Sequence, residues 1–305
     1  MDEQQVLDRL TAQLQAGGLS GGFLVRDLAT GDELTIDADT ERPIASLVKI
    51  PLGIATLERI RRGELAADQA VTVAPGQVST AGPTGISRFR HPAAIALEDL
   101  VYLSVALSDG AASDALFALT PPTHVAELLA ELGRPGVIIR HDAGELSRTL
   151  AEQLAPADVH LAHRLAIAGR TSGGGNIVAR LGAVDATRAS ARDVADWLED
   201  LWRPRVPDVV ASRMRELMAA NVHRTRLAPE FVSDASSWWS KTGTLLNLRH
   251  EAGVVEHADG SAFAVVALTE SSVAAAQQPA AEALMGRVAR ELHDELRRRA
   301  WSSSS

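Results

Sequence analysis

"SLVKIPLGIATLERI", residues 46–60, is an apolar run of helical period that opens on a serine and carries a lysine three residues later. A helix turns once in about 3.6 residues, so Ser46 and Lys49 share a face about one turn apart. A hydroxyl and an amine at the mouth of an apolar helix have two readings. One is a capping serine with a lysine whose stem lies along apolar surface. The other is a nucleophile beside its base. Pro51 has no N–H to offer the Leu47 carbonyl, which predicts a bend in the first turns.

Before this stretch, residues 2–16 place Val6, Leu7, Leu10 and Leu14 at helical spacing. "GGFLVRDLATGDELTIDAD" (21–39) then reads as two strands around a turn at Ala29-Thr30-Gly31. After it, residues 97–119 read as buried helix interrupted near Gly110, and 123–133 as a helix stopped by Gly133. Residues 150–169 are helical in pattern, "RTSGGGN" (170–176) is a loop, and 190–202 is a helix with Ser190 as N-cap. Strand patterns return at 237–247 and at 251–271 around Asp259-Gly260, and a helix closes the chain over 280–299. Strands from both ends around a helical middle predict an α+β fold: an antiparallel sheet with flanking helices, plus a helical lobe. The expected sheet-and-helix lobe takes 1–45 and 206–305, the inserted all-helical lobe 46–205, and the site lies in the cleft between them.

The chain has 305 residues, 46% hydrophobic and 23% charged, enough for a large core. A net charge of −9 disfavours a nucleic-acid partner and suits a small-molecule substrate. The lack of cysteine excludes thiol catalysis, disulfides and cysteine zinc sites. No uninterrupted apolar run is of membrane-spanning length, and the acidic N-terminal stretch is unlike a signal peptide. A monomer in the cytoplasm is expected, with no metal or cofactor. His160 and His163 lack the third ligand of a metal motif.

Two further elements decide between the readings of Ser46. Ser108-Asp109-Gly110 follows the apolar run "VYLSVAL", and Lys241-Thr242-Gly243 opens a C-terminal strand. Ser-x-x-Lys, Ser-Asp-x and Lys-Thr-Gly in this order resemble the signature of class A β-lactamases and penicillin-binding proteins. The likeness extends to the flanking hairpin, to 96–117 and to 241–269. It implies a class A-like three-layer fold and a serine acyl hydrolase. In that mechanism Ser46 is the nucleophile, Lys49 its base, Ser108 the proton relay and Lys241 the charge beside it. The backbone N–H groups of Ser46 and Thr244 form the oxyanion hole. Asp109, Gly110, Thr242 and Gly243 belong to the substrate-binding elements, and Arg224 or Arg226 would pair with a substrate carboxylate.

The sequence departs from the family pattern at two places. Gly110 stands where an asparagine is usual, so the hydrogen bonds that side chain gives the lysine and the substrate are missing. The family's deacylating glutamate has its counterpart in "RHDAGELS" (140–147), which offers Asp142 or Glu145. Three functions stay open: β-lactam, amide or ester hydrolysis; an intracellular esterase or biosynthetic tailoring enzyme; and a protein that is acylated by β-lactams without turnover.

Overall fold

The computed structural model describes residues 3–78, 84–134, 137–141, 144–146, 148, 157–169, 186–203, 205–275 and 277–303. Helix α1 (Glu3–Ala16) buries Val6, Leu10 and Leu14, one residue per turn, which is why it lies flat on a sheet. Strands β1 (Leu19–Asp27) and β2 (Glu33–Ile36) form the expected hairpin, with Gly31 in the left-handed conformation at its turn. A two-residue strand, β3 (Arg42–Pro43), leads into a 3₁₀ turn over Ala45–Val48 and then into α2 (Lys49–Arg61).

Strands β4 (Ala70–Val73) and β5 (Ala93–Ala96) pair with each other, and helices α3 (Leu97–Ala106), α4 (Gly110–Leu119) and α5 (Pro122–Glu131) follow. Next come α6 (Ala162–Gly169), β6 (Arg188–Ala189), α7 (Ala191–Trp202), α8 (Asp208–Ala219) and α9 (Ala228–Phe231). Strands β7 (Ser236–Leu245), β8 (Leu248–His257) and β9 (Ala262–Ser271) and the long α10 (Pro279–Ser303) complete the chain.

The five-stranded sheet has the order β2-β1-β9-β8-β7 and is antiparallel throughout. N-terminal and C-terminal strands meet where β1 pairs β9, with Leu24 opposite Val266. Alternation along the strands gives each face its own core. Phe23, Val25, Trp238, Phe263 and Val265 pack beneath α1 and α10. Leu24, Ala252, Val254, Ala264 and Val266 pack beneath the helices of the other face. The α+β architecture expected from the sequence, an antiparallel sheet with flanking helices, is the architecture observed.

In α7, Val194, Trp197, Leu198 and Leu201 are buried and the helix packs on β1, β8 and β9, so 191–202 lies with the sheet. The insert is not purely helical, because β4 and β5 pair within it and β6 pairs back to β3. The bend expected from Pro51 takes a specific form. Ser46 sits on a 3₁₀ turn, the α-helix begins only at Lys49, and Pro51 falls in its first turn, where a missing N–H costs nothing. Among the described residues no helix is long and apolar enough to cross a membrane.

Candidate active site

Three remote segments converge at the sheet edge formed by β7. The 3₁₀ turn packs against β7 and β8, and a side chain on Gly243 would sit 2.8 Å from the Ile44 carbonyl oxygen. Glycine is therefore what lets the chain entering Ser46 lie on the Lys-Thr-Gly strand. Side chains three apart eclipse in a 3₁₀ helix, so Ser46 and Lys49 lie on one side, and the Lys49 N–H donates to the Ser46 carbonyl.

Lys49 is buried. Its Nζ donates to the Ser108 carbonyl at 2.7 Å and lies 3.3 Å from Ser108 Oγ and 3.4 Å from the Asp109 carbonyl. Lys241, fully buried, donates from Nζ to the same Ser108 Oγ at 2.9 Å and to the Thr242 carbonyl at 2.9 Å. One hydroxyl thus stands between two amines. Burial pushes the Lys241 amine well below its ordinary value; the Lys49 and Arg226 charges push the same way, and Glu251 opposes them. The Ser46 hydroxyl makes no hydrogen bond to a described residue. The Lys49 amine is turned to the 108–109 carbonyls.

Those carbonyls account for Gly110. It is buried at the first position of α4 and offers no amide, and the Ser108 and Asp109 backbone oxygens hold the lysine instead. Ser108 has φ +58° and Ala45, immediately before Ser46, φ +49°. Left-handed conformations in non-glycine residues cost about 1–3 kcal/mol each, and here both precede or carry a site hydroxyl.

Asp109 has a different place from the expected one among substrate-binding residues. Its side chain is fully buried and caps α4. It accepts from the N–H groups of Ala111 (2.9 Å), Ile86 and Ser87, and from the Ser87 hydroxyl (2.6 Å). It holds the strained Ser108 turn. Arg224 donates to the carbonyls of Ala219 and Trp238. Arg226 is buried and binds the Gly243 carbonyl (2.8 Å), the His250 carbonyl, the Thr244 hydroxyl (2.6 Å) and Glu282. Of the two arginines it is Arg226 that reaches the end of the Lys-Thr-Gly strand, beside the exposed Thr244.

Of the candidate deacylation bases, Asp142 lies outside the described residues. Glu145 lines a pocket with Ala45 and Val48, which bracket Ser46 in the chain. Several supporting residues carried no signal in the sequence. Glu251, fully buried behind the sheet, accepts from Trp238 Nε1 (2.9 Å), Ser240 Oγ (2.7 Å) and the Leu227 N–H (2.7 Å). His250 Nδ1 accepts from the Thr269 N–H at 3.0 Å, so Nε2 carries the proton and donates to the Pro43 carbonyl at 2.9 Å. Burial drives its imidazole down to about 3, so it stays a neutral clamp on the segment entering Ser46. His223 bonds the Leu107 backbone, and burial and then the Lys241 charge lower its imidazole. Helix α6, from the long 140–186 segment, sets Ala166 against Leu248, Leu245 and Leu246 at the β7–β8 turn, walling that rim.

The profile of the β-lactamase enzyme family matches residues 4–296. The chain belongs to this family. A "Beta-lactamase regulatory protein BlaB" from Streptomyces cacaoi is 56% identical over 97% of this chain and 99% of its own. Solved structures with the same fold include a β-lactamase from Sphaerobacter thermophilus (TM-score 0.71, 21% identity, 95% of this chain and 96% of that one). An ancestral class A β-lactamase matches with TM-score 0.73 and 20% identity over 95% of this chain and all of its own. PBP-A matches with TM-score 0.73 and 16% identity over 97% of this chain and 96% of its own.

Proposed function

We propose that Ser46 of this β-lactamase-family protein attacks the carbonyl of a small-molecule β-lactam, amide or ester and becomes acylated. The observation that carries this reading is the shared contact of Lys49 and Lys241 with Ser108 Oγ, at 3.3 and 2.9 Å. A serine hydroxyl is a weak nucleophile and needs a neighbouring base. Lys49, one turn from Ser46 and held against Ser108, takes the Ser46 proton. The developing oxyanion is stabilised by the Ser46 and Thr244 N–H groups, and one such donor is worth about 2.7–4 kcal/mol. Ser108, between the amines, passes a proton to the leaving nitrogen or oxygen. Arg226, beside Thr244, favours an anionic substrate group there. The chemistry calls for no metal or organic cofactor.

The likeness to BlaB, named a β-lactamase regulatory protein, favours a second reading in which the acylated state itself is the output. Incubation with a penicillin, a cephalosporin chromophore and a short-chain nitrophenyl ester, followed by intact mass, separates the two. Rapid loss of substrate with free enzyme at the end supports hydrolysis. A persistent adduct supports the regulatory reading.

A further inference from the structure

A pocket adjoining the Ser46 turn and the end of β7 is lined by Ala45, Val48, Phe117, His141, Glu145 and Leu245. The His141 ring lies flat on Phe117, with centroids 4.1 Å apart and planes 15° apart. Its Nε2 is 3.1 Å from Asp114 Oδ1, an oxygen that also accepts the Leu146 N–H at 3.0 Å. Its Nδ1 faces Glu145 Oε2 at 3.8 Å. The segment is fastened at its start too, where the Thr187 hydroxyl accepts the Arg140 N–H (2.9 Å) and donates to the Arg140 carbonyl (2.7 Å).

In the neutral ring, Asp114 at Nε2 places the proton there, and the Nδ1 lone pair is then directed toward Glu145. Two acceptors 3.8 Å apart do not bond each other, but a water between them can donate one proton to each. Its oxygen lone pairs are then free to act as a nucleophile beside the Ser46 turn. We infer that His141, oriented by Asp114, is the base that activates the water hydrolysing the Ser46 adduct, with Glu145 holding that water. This rests on the reading that Ser46 is acylated.

In the step, the water oxygen bonds to the adduct's carbonyl carbon while its proton passes to His141 Nδ1. The tetrahedral intermediate collapses with cleavage of the Ser46 Oγ–carbon bond. The proton returns to Ser46 Oγ, giving a carboxylic acid and free Ser46. Asp114 is a positioning residue: it fixes the tautomer and ring plane.

The test measures the decay of adducts formed with penicillin G and with a nitrophenyl ester, by intact mass after removal of excess reagent. His141→Gln is expected to lengthen adduct lifetime about 100-fold, the lower end for loss of a general base, with acylation rate within about twofold of wild type. Asp114→Asn is expected to lengthen it about tenfold, and imidazole in the buffer to restore decay in His141→Ala, which a packing role would not produce. Unchanged lifetime in His141→Gln overturns the inference. So does a larger effect from Glu145→Gln, which would move the proton transfer to that carboxylate. If His141→Gln does not fold, Asp114→Asn decides, and unchanged lifetime there is equally fatal. Absence of any wild-type adduct or turnover is a different failure: it removes the acylation reading and this inference with it.

Discussion

On the flank of Ser46 that carries Ser108, two buried amines, a strained turn and a capping aspartate are joined by hydrogen bonds through the half-buried Ser108. On the flank that carries His141 and Glu145, the two side chains stand 3.8 Å apart in a pocket, with Asp114 and the Phe117 ring against the histidine. The first flank is chemistry fixed by burial, because an amine inside protein must find acceptors or lose its proton. The second is chemistry open to replacement, because any acceptor that can hold a water beside the adduct will serve. A protein can therefore keep the machinery that makes an acyl-enzyme while altering what ends it.

The largest expected effect lies on the first flank. Lys49→Gln, which keeps length and polarity, should slow Ser46 acylation by about 10²–10⁴-fold in stopped-flow measurements. A loss below tenfold would shift the base to another group and blur the contrast between the flanks.

Next is Asp109→Ala, which takes the acceptor from the buried N–H groups of Ile86 and Ser87, while the Ala111 N–H keeps the Ser87 hydroxyl at 3.0 Å. Urea unfolding should show a loss of about 3 kcal/mol. A stable variant that acylates normally would show that the Ser108 turn holds itself.

The His250 clamp gives a pH dependence. Its imidazole falls from an ordinary 6.5 to about 3 through burial, so between those values the unfolded chain takes up a proton and the native one does not. Its contribution is complete above pH 6.5 and is lost as pH falls toward 3, at up to about 1.4 kcal/mol per pH unit. His250→Gln should flatten the stability profile over that range, measured by denaturant unfolding at successive pH values. An unchanged slope would place the acid sensitivity elsewhere.

The smallest effect separates the arginines. Arg224→Ala, which loses only bonds to two carbonyls, should alter stability by less than about 0.5 kcal/mol and leave substrate KM unchanged. Arg226→Ala should raise KM for carboxylate-bearing substrates more than for neutral esters. A selective KM effect at Arg224 instead would reverse the assignment.

Much of this was legible in the sequence where periodicity and turn chemistry act locally. The hairpins at Gly31 and Gly260, the break before Gly110 and the Ser190 capping box all follow from residues close in the chain. The candidate site elements were legible because Ser46, Lys49, Ser108 and Lys241 occur in a recognisable order. What escaped depends on contacts between distant segments. Glu251 and His250 sit in a strand whose neighbours give no hint that their side chains brace β7 and Pro43. Asp109 reads as a member of the site because of its neighbours, while its carboxylate serves the turn at 86–87. His141 is a lone histidine in the sequence, and only folding brings Asp114 and Phe117 to it.

The most direct test is covalent. After brief exposure to penicillin G or a nitrophenyl ester and an acid quench, peptide mapping by mass spectrometry should find one acyl group, on the peptide containing Ser46. The same treatment of Ser46→Ala should leave the chain unlabelled. Label on any other residue, or an equal yield of label in Ser46→Ala, would contradict the account.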